Sequence, residues 1–371
     1  MRRVLVGFLS GACLVFASVA SAAPVKPPPP KDDLGKKSQS ASPDKSLAGD
    51  ITRKKTTKID EHPTLKIDQF AQQVELQVAS KRHEQIETLQ KIIALGSDDK
   101  EMPKLLFRLG ELYFEESKYY FFESNRKDDE IFAAKERKDD ATVQRATDEK
   151  TALVARSAKF QTEAIGRYKE IVSKYPKFER MDEVLYFLGH SLWEANKEQD
   201  ALGIYKALIT HYPKSKYIPD AWLAFGEFYF NGSQGKSKEL NNALAAYKHA
   251  AEFPDSSVYG FAVYKEAWCY YNLNDFKTAL DLFKTVIFYG DLASSTTKEN
   301  KTALVKEARK DYVLTWSHYG DPRGAEDDFK KVGGDQNWMG MFKGLAGLYY
   351  DDGKDMEAAI TYHRLIELQP L

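Results

Sequence analysis

Hydrophobic residues recur every three or four positions along most of the chain after residue 64, in segments that short polar stretches separate. This spacing places hydrophobic side chains on one face of an α-helix. The first such segment runs from Leu65 to Leu95, and we predict that residues 63–100 form a helical hairpin that caps the start of a helical array. Its hydrophobic positions are Ile67, Phe70, Ala71, Val74, Val78, Ile86, Leu89, Ile92 and Ile93.

Beyond residue 100 the helical pattern becomes a repeated unit. Each of six successive units contains an alanine that is followed four residues later by an aromatic residue. A preceding helical segment carries its own small and aromatic residues, most plainly Trp222, Phe225, Gly226 and Tyr229. The six pairs are Ala164/Tyr168, Ala201/Tyr205, Ala243/Tyr247, Ala279/Phe283, Ala325/Phe329 and Ala358/Tyr362.

The small residues in these units predict closely packed pairs of antiparallel helices. A small residue in the first helix, such as Gly189 or Gly226, faces the alanine that opens the second helix, so the two backbones can approach. The aromatic rings then fill the space between one pair and the next. We predict about six such pairs over residues 101–371, each packed only on its neighbours.

The pattern of these residues resembles that of the tetratricopeptide repeat, in which Trp-x2-Leu-Gly-x2-Tyr is followed by Ala-x3-Phe and then by Pro. Pro176, Pro213, Pro254 and Pro370 stand at the ends of units. The resemblance implies an all-α superhelical solenoid whose repeats bind other proteins. Together with a disordered N-terminal linker, this is the fold we expect.

The first repeat contains a long insertion, which we place at residues 115–160. The insertion is rich in Lys, Asp, Glu, Arg and Ala and contains neither Pro nor Gly. Such a composition favours continuous helix. We therefore predict that both helices of this repeat extend beyond their neighbours as a charged hairpin, with the aromatic run Tyr119–Phe122 at its base.

The N-terminus has the features of a secretory signal peptide over residues 1–22. Arg2 and Arg3 precede the apolar stretch 4–19, and Ala20–Ala22 supplies a cleavage site. The apolar stretch has about 16 residues, fewer than the roughly 20 that a membrane-spanning helix needs, so we expect cleavage and export rather than a retained anchor. Lipidation at Cys13 is disfavoured because Ser10 stands three residues before it. Residues 23–62 form a Pro- and Lys-rich linker that we expect to be disordered.

Composition and motifs argue against several classes of function. The formal net charge is −1, which favours neither nucleic acid nor an anionic membrane surface as the main partner. The seven histidines lack the spacing of a zinc helix, and there is no glycine-rich phosphate loop or nucleophile elbow. We therefore expect no enzymatic activity, cofactor or metal. Cys269, beside Trp268 and Tyr270, is expected to be a buried, inert thiol.

Binding positions follow from the register of the repeats. In a tetratricopeptide superhelix the first helix of each repeat lines the concave face, so its second, fifth, ninth and twelfth residues face a groove. An aromatic groove with a few charges suits an extended peptide or a partner helix. The alternative is that the next first helix buries some of these rings. The predicted groove residues are Tyr186, His190, Trp193, Glu227, Phe230, Tyr264, Trp268, Tyr271 and Tyr350.

Several short segments of the sequence also resemble tetratricopeptide proteins of the Gram-negative envelope. The segments 182–190, 201–206 and 211–215, ending in Tyr212, Pro213 and Ser215, are similar to the outer-membrane-assembly lipoprotein and to the cell-division coordinator of the Tol-Pal system. The segment 259–270 is similar to periplasmic proteins of myxobacterial gliding motility. Unlike the first two, this chain has neither a good lipobox nor a clear trimerisation coiled coil.

This second resemblance implies a periplasmic, non-enzymatic scaffold that is associated with the outer membrane or with a motility machine. Its partners would be other envelope proteins, with peptidoglycan or the outer membrane as further contacts. The alternative is a peptidoglycan-associated regulator of cell-wall synthesis or division. The sequence favours no nucleic-acid partner under either interpretation.

Overall fold

The computed structural model describes residues 64–292 and 298–369 of the chain. The predicted signal peptide, the predicted linker and Cys13 lie outside the described residues. The chain divides into two units, Met1–Val78 and Ala79–Leu371. Of the first unit the structure describes only residues 64–78, which begin the helix α1, and every side-chain contact given below lies in the second unit.

The described residues form helices and no strand, so the all-α prediction is confirmed for this part of the chain. Consecutive helices contact one another along the second unit, as expected for a solenoid. The helices are α1 (Thr64–Leu95), α2 (Met102–Glu136), α3 (Asp140–Lys174), α4 (Met181–Glu194), α5 (Glu198–His211), α6 (Ile218–Gly232), α7 (Ser237–Ala251), α8 (Tyr259–Asn272), α9 (Phe276–Leu292), α10 (Lys298–Tyr319), α11 (Ala325–Asp351) and α12 (Asp355–Leu368).

The predicted capping hairpin at residues 63–100 is instead a single helix, α1, which has 32 residues. No Gly or Pro occurs between Thr64 and Leu95, so nothing in the segment interrupts the helix. The first breaker is Gly96, whose φ of 85° lies in the left-handed region. α1 packs on α2 through Arg82, whose Nε donates to Glu116 Oε2 at 2.6 Å.

Helices α2 and α3 form an antiparallel pair of 35 residues each, more than twice the 14 residues of α4 and α5. The extra length spans the charged insertion. Ala134 and Ala146 are fully buried, so the two helices approach closely near their turn. Ion pairs join the helices on the outside: Lys127–Glu149 at 2.5 Å, Lys150–Asp128 at 2.5 Å and Arg145–Glu130 at 2.7 Å.

The predicted close approach of the two helices in a repeat is present in the first three pairs. A Cβ atom on Gly110 or Gly189 would lie 2.7 Å from a ring carbon of Tyr168 or Tyr205, respectively. On Gly226 it would lie 2.4 Å from Cε1 of Tyr247. Each tyrosine ring is completely buried. The first helix therefore needs glycine at this position because the ring of the second helix occupies the space of a side chain.

The fifth and sixth repeats share the helix α11. Its backbone breaks at Gly334, where φ is 61° and ψ is 179°. Residues 325–333 form the second helix of the fifth repeat with α10, and residues 335–351 form the first helix of the sixth repeat with α12. We expected a turn at Gly333 and Gly334. In the structure the chain changes direction at Gly334 alone, where the positive φ favours glycine.

Candidate protein-interaction site

The predicted groove residues all lie on first helices, but the structure does not leave them equally accessible. Tyr186, His190 and Glu227 are buried, which corrects the expectation that they face an open groove. Tyr350 is exposed. The remaining members, Trp193, Phe230, Tyr264, Trp268 and Tyr271, are half-buried.

Tyr186 is covered because the residue before the next first helix stacks on it. The rings of Tyr186 and Tyr217 lie nearly parallel, with centroids 4.2 Å apart. The loop that brings Tyr217 there is held by Ser215, whose hydroxyl donates to Asp182 Oδ2 at 2.7 Å. The Tyr-Pro-x-Ser segment, residues 212–215, therefore ends its repeat with a hydrogen bond between the loop and α4, the first helix of the same repeat.

His190 is buried on α4 and lies edge-on to the ring of Phe114, with centroids 5.2 Å apart. Burial lowers the pKa of His190 from 6.5 to about 4, so its ring is neutral at pH 7. The neighbouring Lys118 on α2 pairs with Glu194 on α4. These contacts join the first helices of the first and second repeats.

Glu227 joins the first helices of the third and fourth repeats. Its Oε1 accepts a hydrogen bond from the Tyr247 hydroxyl at 2.6 Å and lies 3.0 Å from Nζ of Lys265 on α8. The side chains of Glu227 and Lys265 are each only 6% exposed. Lys265 Nζ also lies 4.8 Å from the ring centroid of Phe230. Glu227 and Phe230 thus serve packing between repeats.

Asp311 on α10 joins the next two first helices. One of its oxygens, Oδ2, accepts hydrogen bonds from the Tyr264 hydroxyl at 2.5 Å and from Trp268 Nε1 at 3.1 Å. Burial raises the pKa of Asp311 to about 6. The groove register did not include Asp311. The sequence signal that could have identified Asp311 is a carboxylate in the middle of a helix that otherwise follows the repeat pattern. Buried acids are usually hydrogen-bonded, so such a residue indicates donors nearby.

A half-exposed aromatic cluster remains where the fourth and fifth repeats meet. We call Trp268, Tyr271, Phe276 and His318 the Tyr271 cluster. The Tyr271 ring centroid lies 5.1 Å from that of Trp268 and 5.5 Å from that of Phe276. His318 stacks on Phe276 at 5.1 Å, and its Nε2 lies 3.1 Å from the Tyr271 hydroxyl. His318 is exposed and Tyr271 half-buried.

The electrostatics of the Tyr271 cluster favour neutral aromatic contact. Partial burial, with a smaller contribution from nearby Lys354, lowers the pKa of His318 below 6.5, so the ring is uncharged at neutral pH. Burial also raises the pKa of Tyr271 above 10, so its hydroxyl stays protonated. The cluster therefore presents ring surface with a hydroxyl and an imidazole, a combination that suits aromatic or aliphatic anchors of a bound peptide.

Three further observations concern the described part of the chain. No group of three or more His, Cys, Asp or Glu side chains there could hold a metal ion. Cys269 is buried, and burial raises its thiol pKa. None of the helices among the described residues has the length and apolar character needed to cross a membrane.

Comparison with known proteins agrees with this geometry. The tetratricopeptide repeat family model matches residues 183–215 and 261–287. These segments cover most of α4–α5 and of α8–α9, and each contains a complete alanine–aromatic pair. The chain carries tetratricopeptide repeats. The predicted fold class, an all-α solenoid of tetratricopeptide repeats, is therefore confirmed, while the count of six repeats stays a prediction.

Among solved structures, a tetratricopeptide repeat protein from Parabacteroides merdae is 16% identical over 66% of this chain and 79% of its own, with a TM-score of 0.36. The apo form of RapI is 13% identical over 76% of this chain and 88% of its own, with a TM-score of 0.35. No curated protein matches the sequence.

Proposed function

We propose that this tetratricopeptide repeat protein is a non-enzymatic scaffold of the bacterial periplasm that holds protein components of an envelope machine. Tetratricopeptide repeats suggest a protein-interaction scaffold. The observation that carries the choice of site is the Tyr271 cluster, because it keeps three rings from the first helices α8 and α10 in contact with Phe276 of α9, while Tyr186, His190 and Glu227 are buried by packing.

The envelope part of the proposal rests on two features of the sequence. The first is the predicted signal peptide with cleavage before Ala23. The second is the resemblance of segments 182–215 and 259–270 to envelope tetratricopeptide proteins, which supports a role with an outer-membrane or gliding-motility complex. N-terminal sequencing of the protein recovered from the periplasm tests export directly. A sequence beginning at Ala23 supports it, and an uncleaved chain retained in the cytoplasm contradicts it.

The binding site is tested by affinity capture from envelope fractions of the source bacterium after chemical cross-linking. We compare the wild-type protein with Tyr271→Ala and with the matched control Phe132→Ala, which removes an exposed ring from the charged hairpin on α2. The proposal expects partners that are retained by the wild type and the control and lost with Tyr271→Ala. Unchanged capture by all three proteins would rule out the cluster.

A wall-binding arm separates this function from regulation of the cell wall. The purified protein is sedimented with isolated peptidoglycan, with and without about 1 M added salt, which shortens the Debye length to about 3 Å and screens charge contacts at the surface. The scaffold proposal expects the protein to remain in solution. Specific, salt-resistant sedimentation would favour the peptidoglycan-associated regulator instead.

A further inference from the structure

A lysine joins an aromatic ring to a carboxylate between two pairs of first helices. The first of these lysines is Lys118 of α2. Its Nζ lies 5.4 Å from the ring centroid of Phe114 on the same helix, and it pairs with Glu194 of α4. The ammonium is attracted both by the negative face of the ring and by the carboxylate.

The second lysine is Lys265 of α8, which makes the same two contacts with α6. Its Nζ lies 4.8 Å from the ring centroid of Phe230 and 3.0 Å from Glu227 Oε1. In both places the cation belongs to one first helix and the carboxylate to the other. A ring, a cation and a carboxylate thus form one unit that bridges two first helices.

The first helices α8 and α10 bring together rings and carboxylates, but the chain supplies no cation between them. Asp311 Oδ2 accepts hydrogen bonds from two neutral donors, the Tyr264 hydroxyl and Trp268 Nε1. Within the described residues, no ion pair joins Asp311 or Asp352 to a Lys or Arg side chain. In the same part of the chain, no Lys or Arg side chain lies over the ring of Trp268 or Tyr271.

Two lysines stand near these groups, but other groups hold both of them. Lys310, next to Asp311 on α10, pairs with Glu307 at 2.8 Å. Lys354 Nζ donates to the carbonyl oxygen of Ser317 at 2.6 Å. Neither ammonium therefore occupies the position between rings and carboxylates that Lys118 and Lys265 take elsewhere.

Asp352 places a second carboxylate beside the Tyr271 cluster. It is exposed and directly follows α11. Burial raises the pKa of Tyr271, and the negative charges of Asp352 and Asp311 raise it further. The rings of Trp268 and Tyr271 are half-buried, so part of each stays accessible from the first-helix face. The cluster therefore offers ring surface and negative charge together.

We infer that the partner segment bound at the Tyr271 cluster inserts a basic side chain, arginine or lysine, between the rings and the carboxylates of Asp311 and Asp352. This inference rests on the proposed function of the cluster and adds the charge of the anchor. The aliphatic stem of the basic side chain packs on the rings while its charged head reaches the carboxylates. The uncharged His318 ring does not repel such a cation.

The inference is tested by nuclear magnetic resonance with N-acetylarginine methylamide as the probe and its citrulline analogue as the uncharged control. Arginine is chosen because its guanidinium group is weakly hydrated and stacks on aromatic rings. The indole N–H signal of Trp268, identified by its loss in Trp268→Phe, reports binding because this group donates to Asp311. We expect the arginine probe to bind about fivefold more tightly than the citrulline probe.

Variants of the exposed carboxylate show whether the charge is recognised at this site. Asp352→Asn should weaken binding of the arginine probe about threefold and leave binding of the citrulline probe unchanged. The matched control is Asp129→Asn, which removes an exposed carboxylate from α2 and should change neither affinity. Circular dichroism of both variants should match that of the wild type.

The outcomes separate this inference from the proposed function. Equal affinities for the two probes, or no shift of the Trp268 signal with arginine, overturn the inference. If N-acetylleucine methylamide shifts that signal and the arginine probe does not, the cluster takes an apolar anchor, and only the inference about charge fails. If partner capture is unchanged by Tyr271→Ala, the proposed function itself fails, whatever the probes show.

Discussion

Lys265 on α8 and Glu227 on α6 form a buried ion pair, with Nζ 3.0 Å from Oε1, between the first helices of two successive repeats. The position of Glu227 in the repeat had indicated an open groove. The pair instead closes the first-helix face at this point, and the stacked rings of Tyr186 and Tyr217 close it at another. Trp193 and Tyr350 also keep accessible ring surface, but the Tyr271 cluster brings four rings into contact with one another, which is why we place partner binding there.

Removing one partner of the buried ion pair should destabilise the stack. Lys265→Met leaves the Glu227 carboxylate buried without its cation, and such changes cost about 3–5 kcal/mol. We expect a lower midpoint in urea denaturation, followed by circular dichroism. The double variant Lys265→Met with Glu227→Gln should recover part of this loss, because no charge then remains buried. A single variant as stable as the wild type would contradict the structural role of the pair.

The glycines of the first helices provide a second prediction. Gly226→Ala places a Cβ atom 2.4 Å from the buried ring of Tyr247, so the ring or the helix must move. Such overpacking costs about 1–3 kcal/mol. The matched control is Gly203→Ala on α5, where a Cβ would meet nothing within 4 Å. Alanine has the higher helix propensity, so the control should be neutral or stabilising by up to about 1 kcal/mol. Thermal denaturation of both variants tests this prediction. Equal changes in melting temperature would contradict the close approach of Gly226 to the ring of Tyr247.

Asp220 should make stability depend on pH. Burial raises the pKa of Asp220 from 3.8 to about 7. Between these two pH values the folded state therefore keeps a proton on Asp220 that the unfolded state has released. The contribution of Asp220 to stability is therefore fully present below about pH 4 and is lost as the pH rises through about 7. We expect Asp220→Asn to flatten the change in the free energy of unfolding between pH 5 and pH 8. The same pH dependence in the variant and the wild type would show that Asp220 is not responsible.

Cys269 should be unreactive until the fourth repeat opens. It is completely buried, and burial raises its thiol pKa, so both access and thiolate formation are suppressed. In a protein that begins at Ala23, we expect an aromatic disulfide reagent to modify one thiol slowly in buffer and rapidly in denaturant. Rapid modification under native conditions would contradict the packing of α8.

The sequence was most informative about contacts within one repeat. The repeat pattern predicted that the helix carrying Gly226 lies close to the helix that Ala243 opens. The structure shows this close approach, with the ring of Tyr247 against Gly226. The first-helix register placed its residues on first helices, but the structure buries Tyr186, His190 and Glu227 among them. It could not show that Tyr217 would stack on Tyr186, because spacing along one helix carries no information about the distance to the next.

Contacts between repeats account for the rest of what the sequence left open. Asp311 reaches Tyr264 across 47 residues and Trp268 across 43, and no local motif marks such a pair. Phe276 and His318 complete the Tyr271 cluster but were not among the predicted groove residues, because no local motif marks their contacts with Tyr271 either. The error at α1 was different, since the absence of Gly and Pro between 64 and 95 was visible and favoured one helix over a hairpin.

The most direct test of partner binding at the Tyr271 cluster is site-specific photo-cross-linking in living cells. A photoreactive phenylalanine analogue is placed at position 271 and, as the control, at position 132, which is exposed on the hairpin. The account predicts a discrete protein adduct from position 271 and none from position 132. The absence of an adduct at position 271, or the same adduct from both positions, would contradict it.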